Sequence, residues 1–279
     1  MKKYKALFLL LLVTSFTLAQ KSEKVKGSKI VTIEEKEIGN FTSLEIGDGI
    51  EIHLEKGEKN TLKIEADDNL HEAIAFDLSA AKLQISTSRT ITSFKKLIVR
   101  VTYTDELKLI TVKDNVNLNA IQEIQLDDIT IKSFDNTKLY LNVNSKKFTL
   151  QSDNSSKTEL NLKSENAIIQ LSKNATLKAL ITSPDLKCDL YQKAKATIEG
   201  DITNNGMIRL DNNSVLTANN LTVKKAQLIA EGYSDCSINV NGNLVLDASG
   251  NSEIQLYGEQ KIEMKKFADN TILRKKPTK

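Results

Sequence analysis

Three aspartates, Asp114, Asp135 and Asp153, each stand just before a small polar turn in successive stretches of similar sequence: K-D-N-V at 113–116, F-D-N-T at 134–137 and S-D-N-S at 152–155. If those stretches stack in register, the carboxylates come within about 5 Å of each other. Like charges that close repel unless something neutralises them. One chemistry for such a column is Ca²⁺ held on the turns; another is a carboxylate pair doing acid/base work on a polysaccharide. The plainer reading is that each Asp caps its own turn as a solvated Asx unit. The residue types favour the plainer reading. Lys173 takes the position in the next stretch, and no Arg or His accompanies the acids as in polysaccharide-cleaving sites. No catalytic residue, cofactor or metal is therefore assigned, and Asp114, Asp135 and Asp153 stand only as Ca²⁺ candidates.

The other reactive side chains are few. His53 alternates with Ile52 and Leu54, which points it to solvent, and His71 lies in the turn Asn69-Leu70-His71-Glu72. Neither has a partner at metal-ligand spacing, and Cys188 and Cys236 make no C-x-x-C pair. Two cysteines do not build a disulfide framework and read as small core residues.

The turns themselves are periodic. Anchors fall at Asn115, Asn136, Ser155, Asn174, Lys193, Asn213, Ser234, Asn251 and Asn270, with intervals of 21, 19, 19, 19, 20, 21, 17 and 19 residues. Lys193 and Ser234 are the weak members. Between anchors the pattern has period two: Leu139, Leu141 and Val143 alternate with Lys138, Tyr140 and Asn142. A unit of short one-sided strands cannot bury its apolar face alone, but identical units stacked in register can. This predicts an all-β, parallel β-helix of roughly nine coils of about 19 residues, right-handed by the crossover rule. An antiparallel sandwich is the competing architecture. Asn tolerates the left-handed backbone that a tight corner requires, so Asn115, Asn136, Asn174, Asn213, Asn251 and Asn270 form a structural ladder, with amides expected to bond from coil to coil.

Residues 41–104 break the period. Their short alternating runs, near 44–54, 62–66, 74–78, 82–86 and 96–103, read as an antiparallel β segment that caps the open end of the solenoid. The expected organisation is 1–19 signal peptide, 20–40 lead-in with a strand near Ile30–Ile33, 41–104 cap, 105–262 β-helix repeats, and 263–279 a C-terminal strand and basic tail. The signal peptide is read from Lys2, Lys3 and Lys5, the apolar run from Ala6, and Thr17-Leu18-Ala19 before Gln20. Without Lys2, Lys3 and Lys5 the chain keeps 36 Lys and Arg against 36 Asp and Glu, so no basic face invites nucleic acid. No transmembrane segment is expected in the mature chain.

The run Phe41-x-x-Leu-x-Ile-Gly-Asp-Gly-Ile-Glu-Ile-His-Leu-Glu-Lys-Gly57, followed by Leu62-Lys-Ile-Glu-Ala66, Asn69-Leu70 and Lys82-Leu-Gln-Ile85, resembles the opening of the DUF2807 family, the auto-transporter adhesin head GIN domain. Ser249-Gly-Asn-Ser-Glu-Ile-Gln-Leu-Tyr-Gly258 resembles that family's terminal repeat. The resemblance covers about 41–260 and implies a β-helical fold in an exported protein of Bacteroidota. It carries over no catalytic residues. Where the family often uses Ser-Gly-Ser-Gly at its turns, this chain writes Asp-Asn-Thr or Asn-Ser. The segment after the last coil is too short for a translocator barrel. The expected function is an exported, non-enzymatic scaffold or adhesin-like protein of the cell envelope, binding protein or glycan through flat faces. Sec export would leave it periplasmic, outer-membrane-associated or secreted. The alternative is a polysaccharide-active enzyme or carbohydrate-binding module on the same rod.

Overall fold

The structure, a computed structural model, describes residues 23–120 and 122–277. The expected signal peptide lies outside the described residues, as do Lys279 and Thr278 of the basic tail. The chain enters through β1 (Lys24–Lys26) and β2 (Val31–Glu37), then lays down β3 (Ser43–Ile46) and β4 (Glu51–Lys56). It leaves the axis for β5 (Thr61–Asp67), a 3-10 turn (Asp68–Ala73), β6 (Ile74–Ser79), β7 (Lys82–Thr87), β8 (Thr90–Ser93) and β9 (Leu97–Tyr103). It returns at β10 (Leu109–Val112), β11 (Asn117–Ala120), β12 (Ile124–Gln125) and β13 (Asp128–Ser133). Then β14 (Lys138–Ser152), β15 (Lys157–Leu171), β16 (Thr176–Leu190), β17 (Lys195–Leu210), β18 (Val215–Ala230) and β19 (Asp235–Ala248) each make most of a coil. The last turn is β20 (Glu253–Tyr257), β21 (Lys261–Phe267) and β22 (Ile272–Lys275). The result is a β-solenoid of about nine turns with antiparallel strands at its N-terminal end.

The long strands bend without breaking because the inward/outward alternation skips a beat. Lys146 and Lys147 both point outward, as do Glu165 and Asn166 one coil later. Each long strand thus feeds two parallel sheets. The front sheet stacks β9, β4, β11, the first halves of β14 to β19, then β20 and β22; the back sheet stacks β7, β3, β10, β13, the second halves and β21. The register from β14 to β15 is 19 residues throughout, Lys138 on Lys157 and Ser152 on Leu171. One extra residue enters β17 at its bend, where the register shifts after Ser183. Inward side chains form continuous columns, for example Leu139, Thr158, Leu177 and Ala196. All four are buried. Fully burying a Leu in such a column is worth about 1.5–3 kcal/mol.

The corners follow from backbone sterics. Asp135-Asn136, Asn154-Ser155, Gln192-Lys193 and Asn212-Asn213 all have φ between +52° and +68°. Two successive left-handed residues make a type I′ turn, closed at 153–156 by Ser156 N–H on the Asp153 carbonyl at 3.4 Å. The next residue turns straight into the core: Val116 at the first corner, then the smaller Thr137, Ser156, Ala175, Ala194, Ser214, Ser234 and Ser252, all buried. That is the physical content of the recurring Asx-Asn-small string. Asn136→Leu puts a γ-branched residue at φ 57°. This should cost about 1 kcal/mol, a melting temperature lower by roughly 2–4 °C, with Asn136→Gly near neutral. Unchanged melting for the Leu variant would sink this account of the corner.

Pairing differs from the sequence expectation at the N-terminal end. β3 and β4 are the first coil, parallel to β10 and β11, although they lie inside the segment read as a cap. The cap is the excursion from β5 to β9. β9 lies parallel on β4, β5 antiparallel on β9, and β2 antiparallel on β5, so the lead-in carries the outermost front strand. β6 folds antiparallel onto β7 over the back sheet, and β1 pairs with β8 in a separate two-stranded sheet. Asp67 locks these pieces. Its carboxylate is fully buried and accepts the backbone N–H groups of Lys29, Lys95 and Lys96 at 2.9–3.1 Å. Burial pushes its pKa up, but the three backbone donors outweigh that and hold it below the ordinary value. A depressed carboxylate pKa stabilises above the unfolded value, near 4, and that contribution is lost as pH falls through the folded value. Asp67→Asn should therefore lower the melting temperature at pH 7 by roughly 5 °C, with the difference shrinking at pH 3. Thermal unfolding followed by circular dichroism at both pH values checks this; an equal gap at both would refute it.

Candidate functional site

The outward columns of the front sheet carry the chemistry. One runs Glu51, Asn117, Lys138, Lys157, Thr176, Lys195, Val215, Asp235, Glu253. It passes from basic in the middle coils to acidic near the C-terminal end. Where β18, β19 and β20 stack, these positions border a trough of about 830 Å³ lined by Asn219, Asn220, Asp235, Asn239, Glu253 and Tyr257, with Thr217, Ser237 and Gln255 along its floor. The register places Thr217, Ser237 and Gln255 side by side in three successive coils. A register shift between Ala218 and Thr222 widens the front sheet here and puts Asn219 and Asn220 at the trough's edge.

The trough's amides are partly committed. Asn219 Nδ2 donates to Asn220 Oδ1 at 3.1 Å, and Asn220 Nδ2 donates to Glu199 Oε1 at 3.2 Å. Glu253 is paired with Arg274 at 2.6 Å. Asn239 Oδ1 is buried and has no hydrogen-bond partner among the described residues. An unsatisfied buried acceptor costs free energy until a donor reaches it. Towards the N-terminal end the same face carries a shallower hollow of about 560 Å³ whose rim includes Tyr140, Glu159, Lys178 and Leu180. Tyr140 is 44% and Leu180 51% exposed, large for side chains with nothing over them.

The expected acid column does not assemble. Asp114 and Asp135 occupy equivalent corner positions, but the third place is Asn154, because Ser133 pairs with Ser152 and so Phe134 with Asp153. Asn154 Nδ2 donates to Asp135 Oδ1 at 2.8 Å. Asp153 accepts the Asn154 N–H at 2.7 Å and pairs with Lys173 at 2.9 Å. Burial pushes the Asp153 carboxyl up, and the Lys173, Asn154 and Ser172 hydrogen bonds more than reverse it. Among the described residues, no group of three or more His, Cys, Asp and Glu side chains is arranged to hold a metal ion. In the Asn ladder, Asn270 Nδ2 donates to Asn251 Oδ1 at 3.0 Å. The anchor read at Ser234 sits one residue late: Asn213 pairs with Tyr233, which replaces intervals of 21 and 17 by 20 and 18.

Neither histidine is a free surface group. His53 Nδ1 accepts from Arg100 at 3.2 Å, leaving Nε2–H to donate to Glu51 at 2.8 Å, and its side chain is only 13% exposed. Sequence reading missed this because Arg100 reaches the neighbouring strand from 47 residues away. His71 meets Thr32 Oγ1 at 2.8 Å and Glu34 at 3.5 Å. Cys188 and Cys236 are free and buried. Burial pushes the Cys188 thiol up to about 12, and Cys236 is raised likewise, so neither is a nucleophile.

A stacked-coil rod with a folded N-terminal cap and a lateral polar trough defines the chain as a β-solenoid by its architecture. The chain belongs to DUF2807, described as "putative auto-transporter adhesin, head GIN domain", whose model matches residues 40–179 and 157–259. Solved structures share the fold. A putative adhesin from Parabacteroides merdae is 19% identical, with 92% of this chain and 98% of that one covered and a TM-score of 0.61. A putative adhesin from Parabacteroides distasonis is 18% identical, covering 90% and 100%, at 0.63. A structure of a "putative lipid binding protein" from the same organism is 14% identical, covering 91% and 99%, at 0.63. No curated protein matches. No helix among the described residues is long and apolar enough to cross a membrane.

Proposed function

We propose that this chain is an exported, non-enzymatic, adhesin-like protein of the cell envelope that holds a protein or glycan along its front sheet. Sec-dependent export would place it in the periplasm, on the outer membrane or outside the cell. The observation that carries the reading is the trough across β18, β19 and β20. It spans three successive coils and is lined by amides, hydroxyls, two carboxylates and Tyr257. Such a lining suits a ligand that is itself extended and rich in hydroxyls or amides. Hydrogen bonds to charged acceptors there are worth about 1.5–3 kcal/mol each. The family's adhesin description supports the same class of function.

The test uses the mature chain, residues 20–279, on a glycan array and in pull-downs from envelope protein, in Ca²⁺ and in EDTA. The expected result is binding that survives EDTA and is lost in an Asn220→Ala/Asp235→Ala double variant of unchanged melting temperature. Sugar release from a polysaccharide would overturn the non-enzymatic reading in favour of the enzyme alternative. Binding unaffected by the double variant would move the site off the trough.

A further inference from the structure

The two ends of the rod are unlike each other. At the C-terminal end the core columns stop without a cover. Ile262, Met264 and Phe267 continue the columns of Leu244, Leu246 and Ala248, which are fully buried. They are themselves 41%, 52% and 44% exposed because no further coil lies over them among the described residues. Among the described residues, β21 and β22 are edge strands with one unpaired side each. Residues 261–276 carry six Lys and Arg against Glu263 and Asp269. At the N-terminal end the outermost front strand is β2, also an edge, with three Glu against Lys36 and with Ile33 59% exposed.

Strand direction makes the ends compatible. β2 is antiparallel to β5, and β5 is antiparallel to β9, so β2 runs the same way as every coil strand of the front sheet, including β22. A second copy placed along the axis would therefore bring its β2 beside β22 as one more parallel pair. Arg274, in the outward column of Gln255, would meet the outward Glu35, which sits opposite Lys63 on β5. Tail-to-tail pairing would set the basic ends against each other. Insertion into lipid would leave the unpaired backbone groups of β21 and β22 in hydrocarbon with no hydrogen-bond partner.

We infer that copies of this chain associate head to tail, β22 of one copy pairing with β2 of the next, an open-ended heterologous contact. This does not depend on the trough or on what it binds.

The test is sedimentation velocity of the mature chain over a wide concentration range, in low and in high salt. The expected result is a mass that passes two copies as concentration rises and falls back in high salt. Glu35→Lys alone should stay monomeric, as should Arg274→Glu alone, each with unchanged circular dichroism. Mixing the two variants should restore assembly, because each mixed junction again pairs opposite charges. A wild-type mass that stays at one copy throughout overturns the inference. So does a dimer that stops at two copies and ignores Glu35→Lys, which would mean tail-to-tail pairing. Phosphatidylglycerol vesicles are the last arm: capture of the chain that is lost in Met264→Lys, without self-association, would mean that lipid covers the end instead.

Discussion

Phe148→Ala is expected to be the most damaging single truncation in the rod. Phe148 is fully buried, between Ile129 in the coil before and Ala167 in the coil after. The column is complementary in size: a large ring sits against a methyl, and Leu186 follows. Removing the ring leaves a cavity bounded by two backbones fixed at ladder spacing, so the site cannot collapse. The cost should be about 3–5 kcal/mol, a fall of roughly 10 °C or more in melting temperature. The size argument gives a sharper check. Ala167→Leu alone should also destabilise, by about 1–3 kcal/mol, through overpacking against Phe148. Combined with Phe148→Ala it should recover part of the loss, since the new side chain occupies the space the ring left. A strictly additive double variant would show that the two coils do not share that space.

Gly200→Ala comes next, for a different reason. Gly200 lies in β17 at φ +115°, and a Cβ there would stand 2.1 Å from the Ile181 carbonyl oxygen and 2.9 Å from its carbon. The obstacle is backbone, so no rotamer relieves it. Strain at that φ and displacement of the β16–β17 ladder should together cost about 3 kcal/mol or more. In a stack held by nearest-neighbour contacts the damage should be directional. Amide exchange should quicken from β17 to β22 while the cap and the first coils keep their protection. Uniform quickening along the whole chain would argue for one global unit instead.

The sequence made the solenoid legible because its two strongest signals are local. Alternation from Leu139 to Val143 needs only neighbouring residues, and the Asx-Asn-small corner needs four. What it did not show depends on distant pairing. Whether Asp153 stacks on Asp135 turns on a single residue of register, and Ser133 against Ser152 settles it from the back sheet. The same one-residue uncertainty moved the anchor from Tyr233 to Ser234, because Gly232 and the buried Ser234 make the string look in phase one position late. The role of β3 and β4 was hidden for a related reason. Glu51 on β4 pairs with Asn117 on β11, across the whole cap excursion, so no fixed period joins them. The trough was not legible at all. Its residues are ordinary in type, and what brings them together is a register shift beside Ala218.

The bare last coil also makes the rod mechanically polar. Tension applied at the C-terminal end loads the bonds of β22 first, then β21 and β20, row after row, as a zipper is loaded. Each released coil of about 19 residues pays out roughly 60 Å of chain at strand rise before the next row is strained. Tension at the other end meets β1 held on β8, then β2 held along seven residue pairs to β5, with Asp67 gripping three backbone amides behind it. A load on the last coils would thus be met by a body that lengthens stepwise from its C-terminal end.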